Sequence, residues 1–157
     1  MINANDADEL TTLFNLCQPV DTEDPWDVAA FAHTVAITFG LYVDYGGEQG
    51  VQNMCSMILD PNTGNDVEAV GNFISYVFDF EITNTDCLRF NYEYMSNGLR
   101  QQNWDYPATL SGAHQWTYQL CTEFGWFRTS TEEYQPFGHL FPVDIFYDMC
   151  ADVFGDL

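Results

Sequence analysis

Lysine is absent from this 157-residue chain, and arginine occurs only at Arg89, Arg100 and Arg128. Against those three cations stand 24 carboxylates, for a formal charge of −21. Affinity for phosphate backbones comes mainly from Lys and Arg, so nucleic acid and anionic membrane surfaces are excluded as partners. There is no Cys-x-x-Cys pair, and His33, His114 and His139 lie far apart, so no metal and no cofactor are expected. A Gly-x-Ser-x-Gly nucleophile elbow is missing too, since Ser96 stands in "YMSNG" and Ser111 in "TLSGA". With no suggestive Ser/His/Asp or Cys/His pairing, the set of catalytic residues read from this chain is empty. The start, Met1-Ile-Asn-Ala-Asn-Asp, has neither the basic nor the apolar region of a signal peptide. The most apolar run, 28–43, is shorter than the roughly 18 residues of a membrane span and contains His33. It reads as a core helix, with His33 a hydrogen-bonded core residue.

What is present is a globular composition: 46% hydrophobic and 17% aromatic residues, too much apolar surface for disorder. Self-repulsion among so many carboxylates weakens a compact state at neutral pH. Crowded carboxylates hold protons more tightly when folded, so stability is expected to fall as pH climbs. The chain should therefore melt at a higher temperature at pH 5 than at pH 7.5. A melting temperature rising steadily over that range would sink this reading; high-salt adaptation is the competing explanation of the acidic, lysine-free surface.

Periodicity points to helices and little else; no β-alternation and no internal repeat is visible. Leu10, Leu13 and Phe14 share one face of a helix over 7–15, with Asp6 as its cap. Asp24 and Pro25 open a long central helix that Gly46-Gly47 ends. Helices follow over 48–59 and 66–80, separated by "DPNTGND". That stretch resembles the start of a calcium loop, but Asn65 and Gly71 stand where Gly and Glu are needed, so it reads as a helix-capping turn. Beyond Cys87, residues 90–99 suit a short helix or an extended segment and 101–112 a loop. Further helices are expected within 116–124 and over 143–153. The fold class is all-α, five to seven helices, in a single domain spanning 1–157.

Five cysteines at Cys17, Cys55, Cys87, Cys121 and Cys150 are widely spread, which argues for long-range disulfides in an oxidising compartment. Their odd number leaves one over.

Three blocks, "FNLCQP" (14–19), "QWTYQLCTEFGWFRTS" (115–130) and "FYDMCADVFG" (146–155), resemble the S28 serine peptidases. That family includes lysosomal Pro-X carboxypeptidase, dipeptidyl peptidase II and the thymus-specific serine protease. The resemblance implies the helical cap inserted into an α/β-hydrolase, with the serine elbow upstream of Met1 and the Asp and His of the triad downstream of Leu157. It implies a lysosomal or secreted proline-directed exopeptidase as the parent, with a proline-containing peptide as substrate and the missing hydrolase domain as partner. The intact enzyme would be a candidate homodimer. A stand-alone acidic helical binding module descended from such a cap is the alternative. The pairs implied are Cys17 with Cys87 and Cys121 with Cys150; Cys55 is left free and is expected to be buried as a small apolar residue.

The same resemblance directs attention to the segment after Cys121 as a wall of the proline pocket. A flat aromatic face packs on a pyrrolidine ring without stranding polar groups. Trp126 is the leading wall residue, with Phe124 and Trp116 behind it and Glu123 placed to orient a peptide terminus. Trp116 and Tyr118 also suit the role of core anchors. Thr117 occupies the place where dipeptidyl-type relatives carry an acid, which weakens that specificity for this chain.

Overall fold

The computed structural model describes residues 4–78 and 87–155. Among the described residues there are eight α-helices and no strand, so the all-α expectation holds. One isolated parallel bridge joins Leu16 and Leu88. The chain divides into two compact units, Met1–Phe90 and Asn91–Leu157.

In the first unit, α1 (Ala4–Leu13) begins earlier than its sequence suggested. Asp6 therefore lies inside the first turn, where a carboxylate meets the positive end of the helix dipole, and is not the cap. For α2 (Pro25–Tyr45) the expected cap is present: Asp24 Oδ1 accepts from the Trp26 N–H at 2.9 Å, with Pro25 at the first position. Buried Asp27 reaches back, its Oδ2 accepting from the Asp21 N–H at 3.3 Å. By length and composition α2 could cross a membrane. Here it packs on α3 (Gly47–Ile58) and α4 (Asp66–Val77), burying Ala29, Ala30, Phe31, Ala36 and Thr38. His33 is half-buried, short of the core place expected for it.

Cys55 is free, as expected, but exposed, which corrects the expectation that it is buried. The reason is helical phase. Met54, Met57 and Ile58 supply the part of α3 that meets the core, and Cys55 points about 100° away from Met54.

"DPNTGND" is the turn that starts α4. Asp60 Oδ1 accepts from the Asn62 N–H at 2.9 Å, and Asn65 Oδ1 accepts from the Glu68 N–H at 2.9 Å. Glu68 Oε2 in turn accepts from the Gly64 N–H at 3.0 Å, a near relative of the capping box. The expected continuation of this helix to Phe80 lies outside the described residues.

Gly71 explains the failed calcium motif in another way. It faces α1 so closely that a Cβ there would sit 2.4 Å from the Leu13 carbonyl oxygen. Gly71→Ala must push α1 off α4, and is expected to cost about 1–3 kcal/mol. A urea unfolding curve with an unchanged midpoint would remove close packing as the reason for this glycine.

The core of this unit is aromatic. Phe14, Phe31 and Phe90 meet edge to face, with ring centroids 5.2 Å and 5.3 Å apart. Phe73 is met by Phe39 at 5.1 Å and Tyr42 at 5.0 Å. The Cys17–Cys87 disulfide closes the unit, flanked by Cys17 N–H to Leu88 O at 2.9 Å and Leu88 N–H to Asn15 O at 2.8 Å.

The second unit holds α5 (Tyr92–Arg100), α6 (Pro107–Leu110), α7 (Ala113–Gln119), a π-helical turn (Leu120–Phe124) and α8 (Asp144–Phe154). The short α6 falls inside the stretch expected to be loop; Pro107 starts it in the position where proline needs no N–H partner. α8 turns Ile145, Phe146, Met149 and Cys150 inward, and Cys150 pairs with Cys121 as the resemblance implied. Arg100 caps the end of α8, its Nε donating to the Asp152 carbonyl at 2.9 Å, while Tyr92 donates to Asp152 Oδ2 at 2.8 Å. Burial first, then that hydrogen bond and the charges of Asp152 and Asp148, push the Tyr92 hydroxyl well above the ordinary phenol range. Its neutral, donating form is thus favoured by folding, a contribution present below the ordinary phenol pKa and lost as pH rises towards the folded one.

Candidate functional site

The feature that sets the second unit apart is a run of stacked rings at its surface. Trp116 stands on α7, Phe124 ends the π-helical turn, and Trp126 follows immediately after Gly125. The Trp116 and Phe124 centroids are 5.9 Å apart with planes at 40°; Phe124 and Trp126 stack at 5.0 Å and 21°. All three are open to solvent, at 47%, 41% and 70% exposure.

Backbone geometry makes the ladder. The π-helical turn ends with the Gly125 N–H bonded to the Leu120 carbonyl at 2.9 Å. Gly125 then adopts φ 62°, a left-handed conformation that folds Trp126 back over Phe124. Single π turns of this kind recur at functional sites. Two anchors hold it to α8: the Cys121–Cys150 disulfide within the turn, and Phe127, whose ring stacks on Phe146 at 4.9 Å and 9°.

Glu123 is exposed in the same turn and has no hydrogen-bond or ion-pair partner among the described residues. Thr117 is buried, its hydroxyl donating to the Ala113 carbonyl at 2.8 Å, so this position is turned away from solvent. Tyr118 is 46% exposed and packs edge-on against Phe154 at 5.3 Å. The core-anchor role considered for Trp116 and Tyr118 is not what the structure gives them. α7 is a surface helix whose buried member is Thr117.

Sequence reasoning passed over Phe127, which fixes the backbone beside Trp126. Ser130 is the other surprise. It is fully buried with His139 nearby, yet it works as a loop clamp: its Oγ accepts from the Phe141 N–H at 3.0 Å, and His139 Nδ1 meets its carbonyl at 3.0 Å, not its hydroxyl. Among the described residues no group of His, Cys, Asp and Glu could hold a metal ion. The ladder can stack on a flat ring and can face a cation; nothing in it can transfer a proton or attack a carbonyl.

The family described as "Serine carboxypeptidase S28" matches residues 1–157. A Caenorhabditis elegans protein named as a putative serine protease is 37% identical over 46 residues, which is 29% of this chain and 8% of that protein. The chain thus aligns with a small fraction of that relative's length. No solved structure matches it.

Proposed function

The chain belongs to the serine carboxypeptidase S28 family, and from that premise we propose that it forms the helical, substrate-facing part of a proline-directed serine exopeptidase. The observation that carries this reading is the exposed ladder of Trp116, Phe124 and Trp126. Stacked aromatic surface left open on a small unit marks a site of contact. A proline ring is the occupant such a wall suits, because it packs flat and asks for no hydrogen bonds.

In this reading the chain selects substrate and the bond-breaking groups lie in the rest of the enzyme. There an activated serine attacks proline's own carbonyl carbon, a histidine takes its proton and gives it to the leaving amine, and an oxyanion hole receives the developing charge. The setting is lysosomal or secreted, consistent with two disulfides.

The test is Trp126→Ala in the whole peptidase, with KM and kcat measured on a peptide cleaved after proline. Trp126 is mostly solvent-exposed, so the variant should keep its melting temperature. KM is expected to rise about tenfold with kcat nearly unchanged, the mark of binding lost equally in ground and transition states. Unaltered kinetics would remove the ladder from the substrate pocket.

A further inference from the structure

Resting on the lysosomal or secreted setting of that reading, we propose that Tyr134 is an acceptor for tyrosine sulfation. It is carried by residues 131–140, a loop for which substrate selection has no use. The two ends of this loop are tied together. The Ser130 N–H donates to the Phe141 carbonyl and the Phe141 N–H to Ser130 Oγ, both at 3.0 Å. Within it, the Gln135 side chain donates to the Gly138 carbonyl and accepts from the Phe137 N–H at 2.7 Å. A stretch closed at its base in this way is an Ω-loop, a kind of surface loop that frequently carries function.

Tyr134 stands out on this loop. Its ring is 93% exposed, and its hydroxyl has no hydrogen-bond partner among the described residues. A ring so open buries almost no apolar surface and adds little to stability. Glu132 and Glu133 come directly before it; both are exposed, and neither has an ion-pair partner among the described residues. That order of groups has a chemical meaning. The sulfate donor of the secretory route is a mixed phosphate–sulfate anhydride of adenosine, a polyanion, so the enzyme that holds it needs a basic cleft. Two free carboxylates leading a tyrosine draw it to such a cleft. In the transfer the Tyr134 oxygen bonds to sulfur, and the bond from sulfur to the donor's phosphate oxygen breaks. The phenol proton passes to a base on the transferase, and the adenosine bisphosphate leaves with the electron pair.

Tyr45 and Tyr94 also follow an acid, Asp44 and Glu93, and are exposed. Both lie within helices, α2 and α5, whose backbone bonds must open before another protein's cleft can take in the chain. Tyr134 has no helix to open.

The test has two arms. In the first, the whole peptidase is purified from cells grown in chlorate, which blocks synthesis of the donor. It is then incubated with a tyrosylprotein sulfotransferase and labelled donor, and the peptide that holds Tyr134 is isolated. About one sulfate is expected on that peptide. Tyr134→Phe should lose it without a change in melting temperature, Tyr45→Phe should keep it, and a Glu132→Gln/Glu133→Gln double variant should slow transfer about tenfold. In the second arm, the same peptide is weighed from peptidase made without chlorate. A gain of about 80 Da is expected, removed by an arylsulfatase and not by a phosphatase. No transfer in the first arm, or transfer that persists in Tyr134→Phe, overturns the acceptor site. Transfer in the first arm with no gain in the second overturns the proposal through its premise, the secretory setting, and leaves the aromatic wall untouched. A gain that a phosphatase removes overturns it as well.

Discussion

A Cys17→Ser/Cys87→Ser double variant is expected to lose about 4 kcal/mol of stability. The bond joins residues 70 apart, and closing so long a loop removes much of the freedom of the unfolded chain. The shorter Cys121–Cys150 loop, whose ends are 29 residues apart, should be worth about 0.8 kcal/mol less on the same model. Both partners must be replaced together, because a single change leaves a thiol that can exchange with exposed Cys55. The native site is already held by the hydrogen bonds around Leu88, so the loss falls mainly on the unfolded side. Urea unfolding should show a lower midpoint and a steeper slope, the slope rising because the unfolded chain expands. With natural domains stable by only about 5–15 kcal/mol, such a loss is a large share of the total. A loss below about 1 kcal/mol would mean that the reduced chain stays compact when unfolded.

Phe73→Ala should be comparably severe, at about 3–5 kcal/mol. Phe73 is 0% exposed and sits where α4 meets α2, between the rings of Phe39 and Tyr42. Removing it strands two aromatic partners around a cavity that rigid helices cannot close. Phe73→Leu keeps most of the volume and should cost less than about 1.5 kcal/mol. Comparing the two by thermal and urea unfolding separates lost packing from any lesser disturbance. Equal losses would show that the ring contacts, and not the filled volume, hold this core.

Local signals in the sequence survive in the structure where the physics is local. The Asp24–Pro25 start of α2, the capping turn before α4 and the Gly46-Gly47 break each depend on neighbours within four residues, and each is found. Asp6 misled because α1 starts two residues before it, at Ala4, and a carboxylate is as welcome in the first turn as at the cap. Cys55 misled because its apolar character says nothing of helical phase, and Met54, Met57 and Ile58 claim the buried side. The aromatic density of 114–130 suggested both a core and a pocket wall. Which of the two applies to Trp116 depends on α8, brought to this segment by Phe146, Cys150 and Phe154 from far along the chain. The π turn left no mark in the sequence beyond Gly125. Yet that turn is what gathers Trp116, Phe124 and Trp126 into one stack.

The Cys17–Cys87 closure also has a mechanical meaning. A chain pulled at its two ends carries the load across the sulfur–sulfur bond, so the residues between positions 17 and 87 feel no tension while the bond is intact. The aromatic core of the first unit is largely inside that sheltered ring. In a single-molecule stretching experiment, those residues would stay hidden. Adding a reductant under load would release roughly 230–250 Å of new contour length in one step.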